Sequence, residues 1–411
     1  MELSPPVLVA IGAVFLTLIF MVIGEKKEGK SEKVYPIIMG FATGNPPYKV
    51  SQTTAAEIAE KAPAVQKIKP LIKRIYGNGR IDYRYMAVPD FSPESELIAG
   101  DELLFPPTDD GSDHYKVTVQ KRLDRFREKA VPLVTRICEQ AIKDSGLSKE
   151  DIGKLVVVSS TGFIGPGLDC HLIQEMGLDR SVDRALIGFM GCAAAMNGFR
   201  VGMDYCKSHD KAALVCCVEL SSVHTTFDDN VNDAILHAIF GDGCAAAVLS
   251  GKTAKTAPEG AFAIIDDHAC LMEGTEDGIT LSINDYGISC KLSKYLPQYI
   301  AKNMKGYVES FLGKHDLTME DMDFWAVHPG GRRIIEEAQN GLGLSEDQCK
   351  YSWEVLKEYG NMLSPSVMFV LELILKDHKE QLANNGEGFK QGLAFSFSPG
   401  VGAEGIFLKV L

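Results

Sequence analysis

From Tyr35 onward the chain alternates short apolar runs with amphipathic stretches of helical period. That alternation constrains the fold more than any other feature, because interleaved strands and helices build α/β layers rather than an all-helical or all-strand domain. Strands are predicted at Leu155–Ser159, Ala213–Val218, Ala245–Leu249, Ala261–Asp266, Phe324–Val327 and Leu393–Phe397. Helices are predicted at Val117–Asp144, Ala193–Cys206, Tyr295–Leu312, Arg332–Asn340 and Met362–His378. No low-complexity tract interrupts them. With 411 residues, 45% hydrophobic and 24% charged, the chain can bury a sizeable core. Disorder, collagen-like repeats and a coiled-coil rod are excluded on composition. The length fits two domains or one large duplicated one. A faint internal echo favours duplication. LVVVS at Leu155 is followed much later by Gly241-Asp242-Gly243 and an apolar strand; FWAV at Phe324 is followed by Pro399-Gly400 and a closing strand, Gly405–Val410. The expected division is an N-terminal segment (1–33) and two α/β halves, 34–250 and 251–411.

The N-terminal segment differs from the rest. Val7–Gly24 is a run of eighteen residues without a charge, long enough as a helix to span about 27 Å, close to the hydrocarbon thickness of a bilayer. A cleaved signal peptide and a buried helix are the competing readings. Against cleavage stand the absence of a basic n-region, a run longer than a usual h-region, and the lack of an A-x-A-like site. Lys26, Lys27, Lys30 and Lys33 follow the run, which by the positive-inside bias leaves the large domain in the cytosol. The expectation is a retained transmembrane helix in the endoplasmic reticulum or another internal membrane.

Forty-two basic against 55 acidic residues give a net charge of −13, the wrong sign for a duplex nucleic-acid partner. Ten cysteines with no C-x-x-C pair read as free thiols in a reducing compartment rather than a disulfide scaffold.

Three residues at element boundaries carry chemistry. Arg184 to Cys192 (RALIGFMGC) reads as an apolar strand ending at Gly191, and AAAMNGFRVGMDYC reads as the helix after it. Cys192 then sits at a strand-to-helix elbow, where unpaired N–H groups and the positive dipole end favour thiolate. In DFWAVHPGGRR a buried strand delivers His328 to a sharp P-G-G turn, a position for a donor or base. Asn361 precedes the apolar helix MLSPSVMFVLELIL; it suits an N-cap, and equally a neutral donor facing a cleft.

Together, in the order Cys, His, Asn, these positions resemble the type III polyketide synthases, the chalcone and stilbene synthase family. The resemblance is carried by GFMGCAAAMNG, IFGDGCAAAVL, WAVHPGGRRI, EYGNMLSPSVMFVL and FSFSPGVGAEGI, and covers roughly 34–411. It implies a thiolase-like duplicated αβαβα fold and an acyltransferase that condenses malonyl-CoA onto an acyl-CoA starter. It implies Cys192 as acyl-accepting nucleophile, and His328 and Asn361 as thioester-oxygen donors, with His328 also keeping Cys192 ionised. Phe240 becomes the gate between the CoA tunnel and the reaction cavity. The resemblance further implies a homodimer, in which residues near Ile164–Pro166 approach the partner's cavity. No metal or other cofactor is called for; the nine histidines show no zinc-like spacing.

Within the basic run Lys67, Lys69, Lys73 and Arg74, Arg74 matches a CoA-contacting arginine of the family. A later lysine of that motif is replaced by Asn78, for which Arg80, Arg84 or Arg333 could compensate. The usual G-F-G-P-G loop is here Ser396-Phe397-Ser398-Pro399-Gly400, whose two added hydroxymethyls should reshape that cavity wall. Gly165, His224 and Cys290 stand where plant members usually carry Met, Thr and Phe. Lost bulk at Gly165 and Cys290 suggests a tunnel for a medium- or long-chain fatty acyl starter, and an anchor beside it would suit such a substrate. Pyrone, resorcinol and phloroglucinol products all remain compatible. Gly400 to Gly405 spells G-x-G-x-x-G, but too few residues follow for a dinucleotide site. The rival enzyme is a ketoacyl-ACP synthase III, which would show an H-Q-A-N-like stretch at H-P-G-G. The rival outside enzymes is an inactive membrane-tethered acyl-binding scaffold.

Overall fold

Two strands show why the chain layers as it does. β4 (Ile152–Val158) and β6 (Ala212–Leu220) are almost continuously apolar, the mark of strands covered on both faces. Because successive side chains point to opposite faces, β6 divides its residues between two cores. Leu214, Cys216 and Val218 pack with Ile137, Cys138 and Ala141 of the helix Val119–Ser145. Ala213, Val215 and Cys217 face Phe199 and Met203 of the helix Ala194–Ser208, and Val367 and Val370 of the helix Ser364–Ala383. The computed structural model describes residues 32–93, 95–100 and 102–411. Val7–Gly24 lies outside the described residues, and among these no helix is long and apolar enough to cross a membrane.

The remaining strands are β1 (Val34–Gly44), β2 (Tyr48–Ser51), β3 (Tyr83–Met86), β5 (Asp183–Ile187), β7 (Asp242–Thr253), β8 (Phe262–Leu271), β9 (Ile279–Asn284), β10 (Gly287–Leu292), β11 (Phe324–Val327), β12 (Gln391–Ser398) and β13 (Gly402–Val410). Nine form one sheet in the order β11-β12-β13-β8-β1-β7-β6-β4-β5. β1 meets β8 antiparallel at Ile37 opposite Ala263. Outward from that seam the pattern recurs: β7 runs antiparallel to β6 and β6 parallel to β4, while β13 runs antiparallel to β12 and β12 parallel to β11. The second group of strands also divides its side chains. Phe324, Ala326 and Ala394 share the core holding Phe199 and Val367. Trp325, Val327, Leu393 and Phe395 pack instead against Met304, Val308 and Ile335 of the helices Leu296–Gly313 and Arg332–Leu342. Helices therefore alternate with strands in an αβαβα order, with Ala194–Ser208 and Ser364–Ala383 in the middle.

Close approach in the middle layer depends on glycine. A Cβ on Gly198 would lie 2.9 Å from Val215 Cγ1, and one on Gly202 2.9 Å from Val215 Cγ2, so the i, i+4 pair lets the helix lie directly on β6.

All five predicted helices and six predicted strands occur; Phe324–Val327 has its predicted bounds and the others have shifted ends. One boundary needs correction: the strand expected to run from Arg184 to Gly191 ends at Ile187, and Phe189 takes φ 59°, outside the extended region. The short helices Gln52–Lys61, Leu168–Met176, Val231–Ile239 and Lys350–Tyr359 are too brief for periodicity to stand out. The G-x-G-x-x-G run leads into β13 rather than a helix.

Candidate active site

The two central helices deliver two of the three boundary residues. Cys192 lies in the turn Gly191–Ala193 that enters Ala194–Ser208. Gly191 needs its φ of 57° there, and a Cβ on it would stand 3.2 Å from Pro399 Cδ. Its N–H donates to Ser160 Oγ at 3.0 Å, which fixes the turn. Asn361 lies just ahead of Ser364–Ala383, between Gly360 at φ 67° and Leu363 at φ 57°. Its Oδ1 accepts from the Leu363 N–H at 2.8 Å and its Nδ2 donates to the Gly330 carbonyl at 3.2 Å. That pair of bonds sets the amide's orientation and leaves Nδ2 3.8 Å from Cys192 Sγ. His328 follows β11, its N–H bonded to the Phe395 carbonyl at 3.0 Å. The ring is buried, and neither nitrogen has a hydrogen-bond partner among the described residues. A Cβ on Gly330 would come within 3.2 Å of His328 Nε2, so the P-G-G turn keeps room beside the imidazole.

Cys192, His328 and Asn361 line one cavity, about 490 Å³ with its open mouth, together with Phe240, Cys290, Phe397 and Pro399. A larger cavity, about 980 Å³ with its open mouth, adjoins it and shares Phe240, Leu281, Cys290 and Leu363. It extends past His224 to Ala55, Ile58, Met86, Phe91 and Phe227. Phe240 and Cys290 therefore line both cavities and stand at their junction.

The electrostatics depart from expectation. Cys192 faces apolar cavity walls, and burial pushes its thiol up. A helix N-terminus contributes about 0.3–1 kcal/mol, and desolvation outweighs it here. Burial also pushes His328 down to about 3. Each group is thereby favoured in its neutral form. A neutral imidazole keeps one N–H, and no protein acceptor claims it.

Other expected residues are placed less uniformly. His224 is buried on the larger cavity; Nε2 bonds to the Thr161 carbonyl at 2.7 Å, Nδ1 accepts from the Ile288 N–H at 3.3 Å, and burial lowers it to about 4. Strand alternation corrects the glycine-rich loop: Phe397 and Pro399 line the cavity, whereas Ser396 and Ser398 do not. Ser398 Oγ bonds to the Gly402 carbonyl at 3.3 Å and Ser396 is fully buried. Gly400 turns the chain at φ 79°. Gly165 is exposed, a Cβ on it would meet nothing within 4 Å, and it lines neither cavity of this chain. Arg74 is exposed on the helix Ile72–Gly77, whose Tyr76 faces the larger cavity. The three compensating arginines are committed elsewhere: Arg80 to Glu346 at 2.5 Å and to the Trp353 ring, Arg333 to Glu337 at 2.9 Å, and Arg84 to the interior.

Glu219 was missed. Fully buried on β6, it accepts from the Ser160 N–H at 2.9 Å, Thr161 Oγ1 at 2.7 Å and Ser364 Oγ at 2.8 Å, and burial raises it to about 7. One carboxyl thus ties the strand end beside Cys192 to the helix start beside Asn361. A lone carboxylate in the apolar run AALVCCVEL was the available signal.

Comparison with known proteins gives concordant matches. Family models described as the N-terminal and C-terminal domains of chalcone and stilbene synthases match residues 25–253 and 266–411. The alpha-pyrone synthesis polyketide synthase-like Pks18 of Mycobacterium tuberculosis is 37% identical over 377 residues, 91% of each chain. Type III polyketide synthase B of Arabidopsis thaliana is 30% identical over 299 residues, 72% of this chain and 76% of that one. The crystal structure of PKS-I from the brown alga Ectocarpus siliculosus is 63% identical with a TM-score of 0.89, covering 93% of this chain and all of that one.

Proposed function

The chain belongs to the chalcone and stilbene synthase family of type III polyketide synthases, with the thiolase-like α/β fold of that family, and from that premise we propose how its site works and on what. Cys192 Sγ attacks the carbonyl carbon of an acyl-CoA thioester, and CoA thiolate leaves with the thiol's proton restored to it. Malonyl-CoA then loses CO₂, and the electron pair of the broken bond becomes an enolate whose oxygen takes hydrogen bonds from the His328 ring N–H and Asn361 Nδ2. The enolate carbon attacks the Cys192-bound acyl carbon and Cys192 thiolate departs, leaving a CoA chain two carbons longer. Return of that chain to Cys192 repeats the cycle before cyclisation. No electron transfer occurs, so the proposal includes no cofactor beyond the CoA thioesters. The observation that carries it is the convergence of Cys192, His328 and Asn361 on one cavity. Turnover of radiolabelled malonyl-CoA with a starter acyl-CoA tests it; no turnover by folded protein would leave an acyl-binding scaffold.

The starter is a medium- or long-chain fatty acyl-CoA. Support comes from the second cavity, which runs on from the junction at Phe240 and Cys290 to the apolar side chains of Ile58, Met86, Phe91 and Phe227. The products are pyrones, resorcinols or phloroglucinols, and the name of the mycobacterial relative favours the first. Cys290→Phe should fill the junction. Turnover of palmitoyl-CoA should fall at least tenfold while acetyl-CoA turnover changes less than threefold; equal change for both would remove the tunnel.

The protein acts as a homodimer. β5 is the sheet's edge and exposes Leu186 (61%), with Phe163 exposed nearby (42%), apolar surface of the kind that marks an interface. Leu186→Lys should shift the species seen by light scattering from dimer to monomer. If Val7–Gly24 anchors the chain, the site would meet acyl-CoA at a membrane surface, on the cytosolic side.

A further inference from the structure

The last turn of the helix Val231–Ile239 lies where gate and active site join, and a helix end leaves four carbonyls without internal partners. Here all four are held. Arg84 Nη1 donates to the His237 carbonyl at 2.6 Å and to the Phe240 carbonyl at 2.7 Å. Gln52 Nε2 donates to the Ala238 carbonyl at 2.7 Å. The Asn361 N–H donates to the Ile239 carbonyl at 2.7 Å, and the Gly241 N–H returns a bond of 2.9 Å to the Asn361 carbonyl. Phe240 and Asn361 are thereby locked side by side as a parallel bridge.

Arg84 is 2% exposed, and among the described residues its side chain donates to carbonyl and amide oxygens rather than to a carboxylate. Its Nε donates to Gln52 Oε1 at 3.0 Å, so the two side chains form one clasp. A guanidinium at a helix C-terminus meets the negative dipole end, and here the single Nη1 reaches two carbonyls at once. The surroundings leave no slack: a Cβ on Gly360 would lie 2.9 Å from Arg84 Cδ.

We infer that Arg84, with Gln52, is a positioning residue for the condensation step, holding Phe240 and through it the Asn361 amide at the reacting oxygen. The inference rests on the proposed roles of Phe240 and Asn361. It separates two half-reactions. Starter loading needs Cys192 and is reached from a turn that Arg84 does not touch; malonyl-CoA decarboxylation needs the Asn361 amide in place. A misplacement on the order of 1 Å is enough to cost about 10²-fold.

The test compares Arg84→Lys, Arg84→Met and Gln52→Ala with the unaltered protein, after circular dichroism and melting confirm folding. Loading is read as acyl-Cys192 by intact mass in a single turnover, decarboxylation as CO₂ released from labelled malonyl-CoA. Expected is loading within threefold of the unaltered protein and decarboxylation lowered 10- to 100-fold in Arg84→Met, with partial recovery in Arg84→Lys and a smaller loss in Gln52→Ala. If Arg84→Met does not fold, the other two variants decide. Parallel loss of both half-reactions, or no change in a folded variant, overturns the inference. Failure of the unaltered protein to load or decarboxylate would instead defeat the proposed function.

Discussion

Replacing Cys192 by alanine is expected to abolish acylation of the protein by acyl-CoA and to lower polyketide formation about 10⁴-fold or more. Cys290 lines the same cavity from β10, but it is Cys192 Sγ that the Asn361 amide faces, at 3.8 Å. The fold should be untouched, since alanine is smaller and Gly191, not Cys192, carries the strained φ. Malonyl-CoA decarboxylation should persist at a reduced rate, because His328 and Asn361 remain. Intact mass after incubation with starter checks the first part and CO₂ release the second. Burial also fixes the pH behaviour. The Cys192 thiol lies above its usual range, so little thiolate is present near neutrality. Alkylation of the empty protein by iodoacetamide should therefore keep rising through the alkaline range. A plateau near pH 6 would mean that a thiolate–imidazolium pair forms despite desolvation.

His328→Ala and Asn361→Ala are each expected to cost about 10²–10³-fold in turnover, the usual effect of deleting one preorganised oxyanion donor. Their signature differs from that of Cys192→Ala: decarboxylation falls with condensation, because both proceed through the same enolate oxygen. The double variant should lose less than the product of the two single losses, since one oxygen receives both donors. Asn361→Asp would put a carboxylate where an anion develops and should be worse than alanine. Steady-state turnover with saturating starter checks all four, and retention of full decarboxylation in either alanine variant would remove that residue from the oxyanion site.

Much of this was legible in the sequence. Buried strands and their helices announced the layering, because covered strands must be apolar throughout. Cys192 and Asn361 were legible because each follows a glycine at an element boundary, and His328 because it follows a strand at a P-G-G turn; the comparisons with known proteins agree with the family those motifs suggested. Cavity walls were harder to read. Ser396 and Ser398 looked like wall residues until strand alternation turned them away and brought Phe397 and Pro399 in. Arg84 looked like a candidate for phosphate because a lone arginine in a sequence gives no sign of burial. Its carbonyl partners lie about 150 residues away in the chain. The thiol's shift was read with the wrong sign, because a helix terminus is visible in sequence and the apolar lining of a cavity is not.

The most direct test of the account is mass spectrometry of both protein and products after incubation with malonyl-CoA and starters from acetyl- to palmitoyl-CoA. The account predicts a starter acyl group on the peptide carrying Cys192, and cyclised products extended by two-carbon units on a long-chain starter. Products formed with Cys192 unmodified and replaceable by alanine would contradict it.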